Sequence, residues 1–537
     1  MSDSKTRVIE LFREYDCTGG FNPSSFALIK NMYRDRYSRI IESVPGFRRI
    51  VRTERKTDAL AIMSIKGQPR IIYKEGDKLC VARPEGRDTR VIYSFTESEG
   101  RFFILHSTCY IADGNRLYRY DGSELSVIAE GEIIRDCRGL ALLDARLFLL
   151  TREGIYPSTE LEGREICFSR DTLIATEDEA LTLVSVGDCL WVFHKSGILC
   201  YGREGYARLR HIEGINPTGE AMLLDGRIIL LTEDGPRFIE DCHLPERARV
   251  TRPTYKLLSL LSAEEMREAS LCSLEGYAAI CSGSRILLLD PETSECFLIS
   301  EVGSYKGDKR VYRYSPITKS GFSTHRQPNT PANAEVMSII TEEKETVYYT
   351  EEDERLYLVY PTNERSGGEL CPPIKYASGC GLLCFATEGG ILLFNTDMRG
   401  VMPEGETGGD ARARKIHPSF YSFDSHAIGV SIITEYEDAG LPFAEKSSSG
   451  ESLRLRILTE GPIFLSVRVM TDKGEASRQK IHAAPKLTGE YSLTPTVIGL
   501  SERAHGWLEK QIAIETDEFC SPFALSAIAF KFQQRKN

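Results

Sequence analysis

The sequence predicts an all-β protein, and three observations predict it. Segment after segment alternates apolar and polar residues with period two, as a strand with one buried face does. Glycine-based turn signals separate these segments at near-constant spacing. A capping-box helix start occurs in one stretch, near residue 262.

The clearest unit is Tyr110-Ile111-Ala112-Asp113-Gly114-Asn115-Arg116-Leu117-Tyr118-Arg119-Tyr120. It reads as two short strands around a tight turn, because Gly and Asn tolerate the positive φ that a hairpin needs. Related hairpins turn at Gly76, Gly154, Gly197 and Gly235, and later ones at Ser282-Gly283, near Glu352-Asp353, and at Glu388-Gly389-Gly390. The glycines 76, 114, 154, 197 and 235 are 38, 40, 43 and 38 residues apart. A four-strand unit repeating at that interval is the spacing of a β-propeller blade, which buries its faces by stacking on neighbours around an axis. Six to eight blades are expected, with seven favoured.

Taken in order, residues 1–50 form an N-terminal lead-in segment. Within it, residues 3–16 are expected to form a short helix, since Val8, Leu11, Phe12 and Tyr15 fall on one helical face. Arg34, Arg36, Arg39, Arg48 and Arg49 follow as a candidate partner-contacting arm. Residues 51–399 form the β-propeller. A helical insertion is expected near 255–270, where Ser262 with Glu265 three residues on makes a capping box. A loop insertion is expected at 303–334. There Lys309, Arg310, Arg313 and Arg326 are interleaved with Tyr312, Tyr314 and Phe322, while Pro316, Pro328 and Pro331 argue against long regular structure. These cations complete the candidate partner-binding set, because basic and aromatic residues together suit an acidic protein surface or a phosphate backbone. Val336–Pro361 and Lys375–Asp397 read as two further blade pieces.

Residues 400–415 are a linker by composition. Residues 416–537 then form a β-sandwich-like domain. Leu453, Leu455 and Ile457 share one face against Arg454 and Arg456. The same alternation recurs at Leu465, Val467 and Val469, at Ile512 and Ile514, and at Ile528, Phe530 and Phe532. Ser447-Ser448-Ser449-Gly450 is expected to be an exposed loop.

Composition narrows the chemistry. The 78 acidic side chains outnumber the 67 basic ones for a formal charge of −11 over 537 residues, which argues against a dedicated nucleic-acid binder and leaves only local DNA contact. The 15 cysteines are scattered through apolar strands without a Cys-x-x-Cys pair, so they read as reduced small apolar residues in a reducing compartment. No apolar run is long enough for a signal core or a membrane span. The chain lacks a Walker loop, a Gly-x-Ser-x-Gly elbow and a His-Glu-x-x-His motif, and His417 and His426 read as hydrogen-bonders rather than metal ligands. The expectation is a protein that is not an enzyme and carries no cofactor and no metal.

Two stretches carry a resemblance. Asn31-Met32-Tyr33 followed by Glu42-Ser43-Val44-Pro45-Gly46-Phe47-Arg48 is similar to the N-terminal motif of phage virion β-propellers. These are the packaged-DNA stabilisation or tail accessory proteins of short-tailed phages, with related uncharacterised prophage structural proteins. Leu261-Ser262-Ala263-Glu264-Glu265-Met266, leading to Ile286-Leu287-Leu288-Leu289-Asp290, is similar to that family's helix start and following blade. The chain departs in having Cys296-Phe297 where the family has a tryptophan. The resemblance implies a structural virion protein, made in the bacterial host cytoplasm. It would sit at the head–tail junction or tail, with portal, connector or tail components as partners and a homo-oligomeric ring as its assembly. The competing expectation from the residues is a carbohydrate-binding or carbohydrate-hydrolysing propeller with a β-sandwich module. A host-type scaffold stands third, since fold does not fix function.

Overall fold

The computed structural model describes residues 6–13, 26–34, 41–44, 47–84, 89–161, 165–176, 178–203, 206–252, 261–292, 296–300, 302, 309–318, 321–322, 336–340, 346–350, 355–366, 372–394, 425–426, 429–438, 441–459, 463–483, 486–488, 492–494, 496–516 and 523–534. The chain divides into two compact units. One comprises Arg49–Cys296 and Leu370–Phe394; the other comprises Met1–Arg48, Phe297–Glu369 and Asn395–Asn537.

The first unit is a seven-bladed β-propeller. Blade 1 runs from Thr57–Ile65 through Gln68–Glu75 and Lys78–Ala82 to Arg90–Ser94, each strand antiparallel to the next. Blades 2 to 5 repeat this order from inner strands Arg101–Leu105, Gly139–Leu143, Ala180–Val186 and Pro217–Leu224. Blade 6 contributes Ser270–Leu274, Tyr277–Ser282 and Arg285–Leu289. The chain leaves the ring at Cys296–Ile299 and returns for blade 7, Lys375–Gly379, Leu382–Thr387 and Gly390–Phe394. Beside Gly390–Phe394 runs Phe47–Val51 as that blade's fourth strand.

Stacking the blades buries what a single sheet cannot. The middle strands are apolar on both faces: all six residues of Cys189–His194 and of Gly197–Gly202 are buried. Separate apolar cores fill the seams between blades 1 and 2, 2 and 3, 3 and 4, and 4 and 5. A further core joins Ile50, Val51, Cys384 and Leu393 of blade 7 to Ile62, Ile71 and Tyr73 of blade 1, which closes the ring. At that seam Gly379 approaches so closely that an added Cβ would lie 2.9 Å from the Ile62 carbonyl oxygen.

The repeated glycines of the sequence sit where expected, at the turn between the second and third strands of each blade. Three blades use one local design. Thr151, Thr232 and Thr387 are buried, and each Oγ1 donates to the carbonyl of the glycine three residues on, at 3.1, 2.6 and 3.2 Å. Gly154 there has φ +144, and a Cβ would meet the Ile174 carbonyl oxygen at 2.6 Å, so only glycine fits. The capping box is also present. Ser262 Oγ accepts from the Glu265 amide, and the Glu265 carboxylate accepts from the Ser262 amide, starting the helix Ala263–Glu268.

The second unit contains the β-sandwich. One sheet orders Met32–Arg34, Ile41–Ser43, Phe523–Gln534, Lys446–Thr459 and Thr496–Trp507, with Thr6–Arg13 also pairing with Phe523–Gln534. The other runs Phe26–Lys30, Ser431–Thr434, Lys510–Thr516, Ile463–Thr471 and Gly474–Ala483. Leu453, Leu455 and Ile457 are buried on the first sheet, and Leu465, Val467, Val469, Ile512 and Ile514 on the second. Lys510 reaches from the second sheet to Ser448 and Glu502 on the first, so the two sheets meet face to face.

Several expectations are corrected. Thr6–Arg13 is a strand rather than the expected helix, because Phe523–Gln534 offers an edge more than 500 residues away, with Thr6 opposite Gln533. Hence 1–50 is not a lead-in: Thr6–Arg13, Phe26–Lys30, Met32–Arg34 and Ile41–Ser43 supply strands to the unit that also holds 416–537, and Phe47–Val51 joins blade 7. The ring does not run unbroken over 51–399. Residues 297–369 cluster with the second unit, so Val336–Pro361 is not a blade. Val336–Ile340 instead belongs to a five-stranded sheet with Gly321–Phe322, Lys309–Thr318, Arg355–Ser366 and Thr346–Thr350. The 303–334 insertion therefore contains a ten-residue strand, Lys309–Thr318. Pro316 lies within that strand, opposite Tyr357. Ser447–Gly450 is strand rather than exposed loop, since Ser448 faces the buried Lys510. The 400–415 linker and the turn near Glu352-Asp353 lie outside the described residues.

Candidate interaction surface

In each blade the strands alternate direction. The turn between strands two and three therefore lies at the same end of the ring as the connector that enters the blade. In blades 1, 2 and 4 this end is organised by one device: the last residue of strand two is polar and binds the incoming connector. In blade 1, Glu75 Oε1 accepts from the amides of Glu54 and Arg55 at 2.6 and 2.8 Å. In blade 2, the buried Asp113 carboxylate accepts from the Thr96 amide (2.7 Å), Thr96 Oγ1 (2.8 Å), Tyr93 Oη (2.8 Å) and the Glu97 amide (3.0 Å). In blade 4, His194 Nδ1 lies 3.1 Å from the Asp178 carbonyl oxygen. Burial alone would raise the Asp113 pKa, but these hydrogen bonds hold it below the ordinary carboxylate range.

The same connector of blade 2 is held from below. Lys74 is buried, donates to the Ser98 and Gly100 carbonyls at 2.9 and 2.7 Å, and sits 4.4 Å from the Phe95 ring centre. Burial lowers its pKa. Along the rim, ion pairs tie neighbouring connectors and turns: Arg135 to Glu97 at 2.9 Å, Arg138 to Glu179 at 2.8 Å, and Lys195 to Glu179 at 2.6 Å. Each contributes little stability in water, yet together they present a rigid polar belt of the kind that sets specificity in a contact.

On the inner strands, Glu220 of blade 5 is half-buried and accepts from the Leu271 amide of blade 6 at 3.1 Å; burial raises its pKa. The Ser273 amide donates to Ser378 Oγ of blade 7 at 2.8 Å. These polar side chains therefore bind adjacent blades together. Among the described residues no group of three or more His, Cys, Asp or Glu side chains is placed to hold a metal ion. Ten of the twelve described cysteines are buried free thiols, and burial pushes Cys109 and Cys137 up to about 12. No helix among the described residues is long and apolar enough to cross a membrane.

The described sequence-predicted basic residues fall on three different strands. Arg34 ends the strand Met32–Arg34, opposite Ile41. Arg48 and Arg49 lie in Phe47–Val51. Lys309, Arg310 and Arg313 lie in Lys309–Thr318, with Arg310 opposite Arg365 and Arg313 opposite Tyr360. Arg36, Arg39, Arg326 and His417 lie outside the described residues. Asn31, from the motif that carries the resemblance, is a structural residue of the second unit. It is fully buried at φ +61, its Oδ1 accepts from the Ser300 amide at 2.7 Å, and its backbone amide donates to Leu298 at 2.8 Å. Its Nδ2 donates to the Gly429 carbonyl at 2.5 Å. Sequence reasoning saw the Asp113 turn but missed its buried carboxylate, because a hairpin turn is normally solvated.

No family model matches the chain, and no curated protein matches it. Solved structures that match it are β-propellers at low identity. The structure described as YCF48 bound to D1 peptide is 12% identical with a TM-score of 0.38, covering 67% of this chain and 100% of that one. Sqt1 of Saccharomyces cerevisiae is 10% identical with a TM-score of 0.37, covering 64% and 96%. The N-terminal domain of Nup159 is 11% identical with a TM-score of 0.29, covering 68% and 98%.

Proposed function

We propose that this protein is a non-enzymatic assembly component that acts through protein–protein contact, as a structural part of a phage particle at its head–tail junction or tail. One observation supports the contact role most. Glu75, Asp113, Lys74 and Glu220, polar groups that the ring holds inside, are engaged by its own backbone and serve to hold connectors and blades in place. That is the construction of a rigid platform whose turns and connectors meet a partner. The virion setting rests on the resemblance carried by Asn31-Met32-Tyr33, by Glu42 to Arg48 and by the Ser262 capping box. The proposed partners are portal, connector or tail proteins, with self-assembly into a ring, and Arg34, Arg36 and Arg39 act as a contact arm.

The test is mass spectrometry of purified particles from a lysogen carrying this gene, beside a deletion strain. The chain is expected at fixed copy number per particle, and the deletion is expected to give particles without attached tails or without DNA. Absence of the chain from particles overturns the virion setting. Replacing Arg34, Arg36 and Arg39 with alanine should impair assembly and leave the fold intact; normal assembly removes the arm. Hydrolysis or specific capture of glycans from a defined glycan array would replace this reading with the carbohydrate one.

A further inference from the structure

Inside the sandwich, one contact between the two sheets sets an amine against a carboxyl group in a dry aromatic pocket. Lys510 opens the strand Lys510–Thr516 of one sheet, and Glu502 lies on the strand Thr496–Trp507 of the other. The Lys510 ammonium donates to the Glu502 carboxylate, and both side chains are 1% exposed. It also donates to Ser448 Oγ at 2.9 Å. Its nitrogen lies 4.6 Å from the centre of the Trp507 ring and 5.1 Å from that of Phe530, and both rings are buried.

A second buried cation beside the same tryptophan shows what sets this pair apart. Lys446 lies 5.3 Å from the Trp507 ring centre, and its ammonium donates to the carbonyls of Leu441 (2.7 Å), Ala444 (3.2 Å) and Leu508 (2.8 Å). Three acceptors take up every donor a lysine has, and backbone amides are inert towards it. Lys510 instead faces a carboxyl carbon. Glu502 Oε2 meets no hydrogen-bond donor among the described residues, and Trp507 Nε1 meets no acceptor. Two charges held this way are costly. Desolvation takes several kcal/mol per ion, and their attraction offsets it only when the remaining lone pairs are satisfied. Burial also pushes the Lys510 pKa down, against the opposing pull of Glu502, so this ammonium sheds a proton more readily than an exposed one.

We infer that Lys510 and Glu502 condense within the folded chain into an amide, a covalent bond from one sheet to the other. The step needs no co-reactant. The ammonium passes one proton to the carboxylate, which leaves an amine and a carboxylic acid. The Nζ lone pair attacks Cδ, so the Nζ–Cδ bond forms and one carboxyl C–O bond breaks. The departing hydroxyl takes a second Nζ proton, relayed by Ser448 Oγ, and leaves as water. One ammonium and one carboxylate become one neutral amide and one water, with no oxidation or reduction. The fold supplies two things that solution does not. It holds the amine in place on the carboxyl group, which replaces a chance encounter by a fixed approach. It also keeps bulk water, the reagent of the reverse reaction, away from the bond. The product removes two buried charges and ties the end strand of one sheet to its neighbour. This inference does not depend on the virion setting.

The test is intact mass spectrometry of the full chain under denaturing conditions, followed by tryptic mapping. The wild type should weigh one water, about 18 Da, less than its sequence. Trypsin should fail to cut after Lys510 and should release one branched peptide that joins Lys510 to Glu502. Lys510→Arg and Glu502→Ala should each keep the full sequence mass. Wild-type chain recovered in denaturant should start at full mass and lose the water on refolding. Ser448→Ala should lose it at least about tenfold more slowly. The bond is overturned by folded wild type that keeps its full mass through prolonged incubation. It is equally overturned by a loss of water that persists in Lys510→Arg, or by a branched peptide joined at other residues. An unchanged rate in Ser448→Ala overturns the relay. The branched peptide is read in the wild type, so the decision does not require any variant to fold.

Discussion

The ring and the sandwich solve the same problem, burying two-faced sheets, with opposite wiring. In the ring nearly every strand pairs with its neighbour in sequence: Gln68–Glu75 follows Thr57–Ile65 after a two-residue turn. In the sandwich, Phe523–Gln534 pairs with Thr6–Arg13, with Ile41–Ser43 and with Lys446–Thr459. Local wiring costs little loop-closure entropy per blade and writes its turns into the sequence at regular intervals, whereas distant wiring leaves only alternation behind. Two buried lysines, Lys74 of the ring and Lys510 of the sandwich, are satisfied differently. In the ring Lys74 meets neutral carbonyls and a ring face; in the sandwich Lys510 meets the carboxylate of Glu502, both nearly inaccessible, with Trp507 4.6 Å from the ammonium.

That difference gives the largest expected effect. Lys510→Met leaves Glu502 as an uncompensated buried charge and should cost about 3–5 kcal/mol. Amide exchange should locate the loss in Lys446–Thr459, Thr496–Trp507 and Phe523–Gln534, with ring peptides unchanged. Adding Glu502→Leu to Lys510→Met should restore most of it; equal damage in the double variant would mean that the pair does not act as a pair.

The next effect breaks the ring at its one non-local seam. Gly379→Ala places a Cβ against the backbone of Ile62, and the overpacking should cost about 1–3 kcal/mol. Exchange should quicken in blades 7 and 1 before blades 3 and 4. Uniform loss around the ring would show that the seam is no weaker than the other blade junctions.

The smallest effect concerns pH. Asp113 has a folded-state pKa below its unfolded one, so its contribution is fully present above the unfolded value of about 4 and is lost as pH falls through the folded value. Asp113→Asn should be less stable by about 1–2 kcal/mol near neutrality, since an amide leaves donors of Thr96 and Glu97 poorly matched. The gap between variant and wild type should close below that window in a denaturation series across pH. A gap that persists at acid pH would assign the effect to packing instead.

The blades were legible because Gly76, Gly114, Gly154, Gly197 and Gly235 mark turns whose two strands lie within a few residues. The helix start at Ser262 was legible for the same reason: both capping bonds span three residues. Alternation at Leu453, Leu455 and Ile457 showed a half-buried strand without naming its neighbours. The segment Thr6–Arg13 was misread because helical and strand spacing of a few apolar residues are alike until a sheet edge chooses between them. Ser448 was misread because the ammonium that makes a serine suitable for burial comes from Lys510, 62 residues on.

What the sequence by itself determined is therefore the repeated hairpin, its turn chemistry and the period that makes a stacked ring, all set by steric and hydrogen-bond preferences acting within a few residues. Only the tertiary structure decided that seven sheets close around blade 7, that Thr6–Arg13, Phe26–Lys30, Met32–Arg34 and Ile41–Ser43 furnish sandwich strands, and that Asp113, Lys74, Lys446 and Lys510 are internal fasteners. Those outcomes depend on which distant surface each segment finds once water is excluded, and a polar side chain's role inside is set by the partner it meets there.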